Sequence, residues 1–205
     1  MAHYAYGERI GRTAQLKLGC AAIIPDDTGK HIVLTRRTDN GRWCLPGGAM
    51  DPGESLEECC IREVWEETGL IVRVVRLIGI YSTPHRVTYY ADGHRWQTVS
   101  ATFLTARTGG TLGLSDETTE VGFFSLEEIA QLDLIDPHRE RVQDLLVGQE
   151  AAFVREDSRS VTRGFPGARS SEWQRSRQER SCCLQDGWEA SMNEASYRFL
   201  WLGLA

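Results

Sequence analysis

A mixed α/β (α+β) fold, with a mixed β-sheet sandwiched between helices, is predicted by three features of the first 148 residues. Strand-like and helix-like segments interleave, the turns between them are short, and two segments carry the 3.6-residue apolar period.

Residues 1–13 read as an N-terminal extension. "LKLGCAAII" (16–24) and "HIVLTRR" (31–37) are rich in β-formers and flank "PDDTGK", a turn cluster of the kind that joins hairpin strands. "SLEECCIREVWEET" (55–68) has helical spacing, with both ends marked. Ser55 and Glu58 form a capping box, and Gly69 is the residue type that closes a helix at C′. On that helix Leu56, Cys60, Ile61, Val64 and Trp65 fall within one half of the circumference. "LIVRVVRLIGIYS" (70–82) and "WQTVSATFLTAR" (96–107) read as strands around "ADGH", and "EVGFFS" (120–125) as a short last strand. "DPHRERVQDLLVG" (136–148) is a second helix, its Val142, Leu145 and Leu146 forming one stripe. One domain is therefore expected over 14–148. In the remainder, 149–205, the stretch 155–181 is dense in Ser and Arg without either period, so a largely disordered tail is expected.

The chain of 205 residues has room for one sizeable domain plus an appendage, and its 41% apolar and 25% charged residues are ordinary for a globular protein. The net charge of −6 is unevenly placed. Residues 149–205 hold 8 Arg and 8 Asp/Glu, leaving 15 basic and 21 acidic residues before them. That balance argues against an extended nucleic-acid surface and is compatible with a small anionic ligand carried on a metal. No apolar run approaches the roughly 18 residues of a membrane span and no cleavable signal is evident, so no membrane association and a cytoplasmic location are expected. Six cysteines without a C-x-x-C spacing read as reduced thiols.

The chemistry lies in "GAMDPGESLEECCIREVWEETGL", Gly48 to Leu70. Glu63, Glu66 and Glu67 sit at i, i+3 and i+4, on one face of the helix and near its C-terminus, where the dipole disfavours negative charge. Three like charges in one turn are unfavourable as bare structure. A hard divalent cation reverses the sign, since Mg2+ takes one or two carboxylates together with waters and phosphate oxygens.

This stretch resembles the signature of the Nudix hydrolases, G-x5-E-x7-R-E-U-x-E-E-x-G-U with U aliphatic. Gly48, Glu54, Arg62, Glu63, Val64, Glu66, Glu67, Gly69 and Leu70 match every fixed position, and "WCLPGG" (43–48) is similar to the usual lead-in. A chance match in a chain of this length is on the order of 10⁻⁷ or less from average residue usage. The resemblance covers about residues 14–147. It implies a mixed sheet between helices and hydrolysis of a nucleoside diphosphate linked to another moiety. It also implies that Glu63, Glu66 and Glu67 with the main-chain oxygen of Gly48 bind Mg2+ (or Mn2+), and that Arg62 orients the carboxylates together with Glu54. Gly47 and Gly48 would let the backbone approach the ion. For the general base, Glu63 ranks first among motif residues, with Glu117 or Glu120, in "LSDETTEVGFF", as the alternative. A homodimer is a family expectation.

Arg36 and Arg37 end the strand before the motif and are candidates for phosphate contacts. Trp43, Tyr81 and His85 are candidates for contacts to a base or sugar, the alternative for each being a place in the core. Pro84, 15 residues beyond Gly69, is similar to a marker of ADP-ribose hydrolases, although Tyr89 and Tyr90 sit where dinucleoside polyphosphate enzymes carry a tyrosine. Two further readings share the motif: a pyrophosphohydrolase that sanitises the nucleoside triphosphate pool, and a non-catalytic nucleotide-sensing module.

Overall fold

The computed structural model describes residues 3–90 and 93–156. The tail from 157 onward, for which disorder is expected, lies outside the described residues.

Among the described residues nine strands and three α-helices follow one another as β1 (His3–Tyr6), β2 (Gln15–Ile23), β3 (His31–Arg37), β4 (Trp43–Cys44), α1 (Leu56–Thr68), β5 (Leu70–Ser82), β6 (Arg86–Tyr89), β7 (Arg95–Gly110), β8 (Thr118–Ser125), α2 (Leu126–Gln131), α3 (Asp136–Val147) and β9 (Phe153–Arg155). A short 3-10 turn, Ile10–Thr13, lies between β1 and β2. Among the described residues no helix is long and apolar enough to cross a membrane.

The six-stranded sheet is built around β7. Parallel β2 lies on one edge of it, from Gln15↔Trp96 to Ile23↔Leu104, while antiparallel β6 and β5 share the other. β1 continues the sheet beyond β6, and β9 runs parallel to β5 at its far side. A second, three-stranded sheet has the order β4-β3-β8, all antiparallel.

The turn over 25–30 corrects a simple hairpin reading. Asp26 organises it, its carboxylate accepting the N–H groups of Thr28, Lys30 and His31, and Val33 N donates to Ile24 O at 3.0 Å. Beyond the Pro25↔Ile32 bridge, however, β2 and β3 part into different sheets. The strand that precedes β7 and pairs with it across this region is β6 and not β5, with Tyr90 N donating to His94 O at 3.0 Å.

Strand alternation explains the layering. Along β2, Ala21 and Ile23 face one core and Cys20 and Ala22 the other. The first core adds Leu34, Ile78 and Leu104 to Leu126 and Ile129 of α2 and Val142 and Leu145 of α3. The second joins Val33, Leu70 and Val72 to Cys59, Cys60 and Val64 of α1. The sheets thus lie between α1 and the α2–α3 pair, as the fold class requires.

In α1 the expected apolar half is turned by about one residue. Cys59, Cys60, Val64, Glu67 and Thr68 are buried, whereas Trp65 is 60% exposed. Each residue advances about 100°, so Trp65 falls outside a stripe centred on Cys60, Val64 and Glu67. Strands β1 and β9 lie outside the span 14–148 expected for the domain, yet both are hydrogen-bonded into the large sheet.

Candidate active site

Helix α1 is delimited as its sequence demands. Ser55 Oγ accepts from Glu58 N, the Glu58 carboxylate accepts from Ser55 N at 2.8 Å, and Gly69 takes the left-handed conformation with φ 70°. This fixes the register of the glutamates against the loop that runs from Leu45 to Ala49.

That loop lies across the start of the second core. Ala22 N donates to Pro46 O at 2.8 Å, and Cys20 N to Gly48 O at 2.9 Å. Gly47 has φ 146°, and a Cβ there would strike the Cys20 carbonyl oxygen; a Cβ on Gly48 would strike the Glu63 carboxyl group. Both positions require glycine for the backbone to lie this close to the acidic face.

Arg62 is the hub of the acidic cluster. Its Nε and Nη2 donate to Glu54 at 2.6 and 2.9 Å, Nη1 donates to both Glu63 and Glu66 at 2.9 Å, and Nη2 also meets the Ala49 carbonyl oxygen at 3.0 Å. The guanidinium holds the Glu54 carboxyl down at about 2. Glu63 is pushed up by burial, against the pull of Arg62. Glu67, 7% exposed, accepts one hydrogen bond, from Gly47 N at 3.0 Å. Burial raises its carboxyl to about 7, with the Glu63 charge adding to the effect. Among the described residues no three His, Cys, Asp or Glu side chains form a ready-made metal cage. Glu63 and Glu66 converge through their shared Arg62 nitrogen, and Glu67 lies within electrostatic reach of Glu63.

The two loop carboxylates separate. Glu117 precedes β8, its main chain accepts Thr38 N at 3.1 Å, and its charge is felt by both Glu63 and Glu67. Glu120 faces Arg36 across the β3–β8 pair and is ion-paired to it.

The substrate-contact candidates divide as well. Arg36 is committed, its Nε donating to Gly41 O at 2.7 Å besides the pair with Glu120. Arg37 is held by Asp39 through two bonds of 2.8 Å, and its charge reaches Glu67. Trp43 and Tyr81 are corrected to core residues. Trp43 packs edge-on against Phe124 at 4.7 Å between ring centroids, and Tyr81 Oη donates to Asp144 at 3.0 Å, so neither ring has a face open to a base. His85 Nδ1 accepts Arg9 N at 3.1 Å.

Sequence reasoning missed a group on the other side of the loop. His138 Nδ1 accepts Leu45 N at 3.0 Å, and Arg141, one turn further along α3, is 5% exposed. The available signal was an arginine four residues before Leu145, on the helix's apolar stripe.

Fold and site together define an α/β/α protein whose acidic helix faces a glycine loop. Residues 16–145 match the family model described as the NUDIX domain, and the chain belongs to the Nudix family. It is 38% identical over 104 residues to an ADP-ribose pyrophosphatase of Methanocaldococcus jannaschii, covering 49% of this chain and 58% of that protein. It is 33% identical over 111 residues to a MutT-like protein of Streptomyces ambofaciens, covering 54% and 65% respectively. The matches thus span less than two thirds of these curated relatives. Among solved structures, an ADP-ribose pyrophosphatase from Streptococcus suis is similar with a TM-score of 0.52 and 28% identity, over 69% of this chain and 98% of that one.

Proposed function

We propose that this protein is a divalent-cation-dependent hydrolase that cleaves the pyrophosphate bond of a nucleoside diphosphate linked to another moiety, with ADP-ribose the leading candidate. The observation that carries the reading is the gathering of Glu63, Glu66 and Glu67 on one helix face against Gly47 and Gly48. The names of the Methanocaldococcus and Streptococcus relatives support the substrate class.

The donor set suits a hard cation. Glu63, Glu66, Glu67 and the Gly48 carbonyl offer only oxygens, and among the described residues the buried Glu67 carboxylate has one backbone N–H as its hydrogen-bond partner. Mg2+, or Mn2+ in its place, would offset the diphosphate charge and lower the pKa of a bound water. In the reaction, the water oxygen bonds to one phosphorus while the bridging P–O bond breaks, and the bridging oxygen leaves on the other phosphate. The proton lost by the water passes to a carboxylate. Glu63 is the base in this reading, with Glu117, whose charge acts on Glu63 and Glu67, as the alternative. Glu120 is set aside by its pairing with Arg36. Arg62 and Glu54 hold Glu63 and Glu66 in place.

The MutT-like relative favours a second reading, a nucleoside triphosphate as substrate. Product analysis separates the two: AMP plus ribose phosphate from ADP-ribose, against pyrophosphate plus a nucleoside monophosphate. Glu67→Gln keeps an acceptor for Gly47 N–H and removes the charge, so turnover is expected to fall by on the order of 10²-fold or more. Undiminished turnover in that variant, or tight nucleotide binding without turnover in the wild type, overturns the proposal; the latter would indicate a sensing module.

A further inference from the structure

Three buried cysteines lie beneath the acidic helix and take no part in the chemistry described above. Cys20 on β2 and Cys59 on α1 are in contact, their sulfurs 3.4 Å apart although 39 positions separate them in the chain. Cys60 packs in the same core. Cys59 is fully buried and Cys20 is 5% exposed. A cleft of about 390 Å3 opens over the first turns of α1, lined by Gly53, Glu54, Glu58, Ile61 and Arg62. Arg62 Nη2 stands 3.9 Å from Cys59 Sγ, so one partly exposed side chain separates that cleft from the sulfur.

Both residues of the touching pair are tied to the walls of the site. Cys20 N donates to the Gly48 carbonyl oxygen at 2.9 Å, and Cys59 stands one helical turn before Glu63. Between them, Arg62 joins Cys59 Sγ to Glu63, Glu66 and the Ala49 carbonyl oxygen. A disulfide holds its sulfurs about 2.0 Å apart, so closing the present gap draws β2 and α1 together by on the order of 1 Å or swings Cys59 Sγ off Arg62. Either movement disturbs the seat of the glutamates.

We propose that Cys20 and Cys59 form a redox modification site, at which hydrogen peroxide joins the two thiols into a disulfide that reversibly disarms the acidic face. In the first step the Cys59 sulfur, reached past Arg62, attacks one peroxide oxygen. The O–O bond breaks, Cys59 becomes a sulfenic acid, and the thiol proton leaves with the other oxygen as water. In the second step the Cys20 sulfur attacks the Cys59 sulfur, the S–O bond breaks, and the departing hydroxyl takes the Cys20 proton as a second water. The two thiols lose two electrons and the peroxide gains them. Burial pushes the Cys59 thiol up, with Cys20 beside it adding to the effect, so the thiolate is scarce and the oxidation slow. The pair thus answers sustained peroxide and not a brief pulse. Its effect on turnover rests on the function proposed above; the disulfide itself does not.

The full-length chain carrying Cys182→Ser and Cys183→Ser keeps Cys20, Cys44, Cys59 and Cys60 as its thiols. It is treated with hydrogen peroxide in EDTA, under conditions that leave its far-UV circular dichroism unchanged, and then quenched with catalase. Intact mass should fall by two hydrogens and the thiol count, taken after denaturation, should drop from four to two, both reversed by dithiothreitol. Cys59→Ala and Cys20→Ala should each abolish the change, and Cys60→Ala should keep it. A disulfide that persists in Cys59→Ala or is lost in Cys60→Ala overturns the pairing, as does oxygen addition without a disulfide; Cys20→Ala decides should Cys59→Ala fail to fold. None of these readings needs a substrate. With Mg2+ and ADP-ribose added, turnover should fall in step with disulfide formation, by tenfold up to about 10²-fold, the scale of a 1 Å misplacement, and return on reduction. Cys20→Ala should hold its turnover through the same treatment. Full turnover with the disulfide formed overturns the link to the acidic face.

Discussion

Arg62 carries the geometry of the acidic face in one side chain. Five donor contacts leave its guanidinium, to Glu54 twice, to Glu63, to Glu66 and to the Ala49 carbonyl oxygen. A planar fork can serve these directions at once, and a lysine ammonium with three donors cannot. Because the cluster is partly solvated, the loss falls more on position than on stability. Arg62→Lys is therefore expected to shift Tm by only a few degrees and to lower kcat substantially, since a misplacement near 1 Å costs up to about 10²-fold in rate. Steady-state kinetics with Mg2+, alongside melting curves, makes the comparison; an unchanged kcat would show that Arg62 does not set the carboxylates. At this scale the motif glutamates and Arg62–Glu54 were legible from spacing alone. The roles of Trp43 and Tyr81 were not, because spacing does not reveal which face of a strand meets a core.

Among the elements, the loop over 45–49 matters most, because it is fastened from both sides. Helix α1 holds it through Glu67 and Arg62, and α3 holds it through His138. The Leu45 N–H needs a lone pair on His138 Nδ1, which only the neutral ring can offer. Burial of the ring, with the charges of Arg141, Arg37, Arg86 and Arg42, sets the folded-state value well below the usual 6.5. The unfolded chain thus takes up a proton below about pH 6.5 that the folded chain refuses. Stability from this group is complete above that pH and is lost as pH falls toward the folded-state value, at up to about 1.4 kcal/mol per pH unit. His138→Gln keeps an acceptor and cannot titrate. Urea unfolding at pH 7.5, 6.5 and 5.5 is expected to show the wild type losing ground to the variant below pH 6.5, and parallel pH profiles would remove His138 from the loop's support. Both capped ends of α1 could be read from Ser55, Glu58 and Gly69. The tie to α3 could not, since it joins residues 93 positions apart.

At the scale of the whole molecule, the long strands were legible because each is dense in β-formers and bounded by turn residues. Their partition into two sheets was not, because the divergence of β2 and β3 after Pro25 depends on distant partners in β7 and β8. Short β1, β6 and β9 were hidden for the same reason. Strand β9 has an energetic consequence. It lies beyond residue 148, yet Phe153–Arg155 pairs with Gly79–Tyr81, and the Arg155 guanidinium covers Asp144, whose side chain is 3% exposed. A chain ending at Gly148 leaves that carboxylate buried with Tyr81 Oη as its remaining hydrogen-bond partner among the described residues, whereas a chain ending at Glu156 keeps the pair. Removing one partner of a buried ion pair typically costs about 3–5 kcal/mol. Arg141, three residues earlier on α3, can recover part of this by turning to the freed Asp144, so a difference of roughly 2–4 kcal/mol is expected between the two chains in urea unfolding. Arg155→Met in the longer chain isolates the ion pair from the strand and should account for most of the difference. Equal stability of the two truncated chains would mean that the sheet and both cores are complete at residue 148, and that β9 is carried by the domain without supporting it.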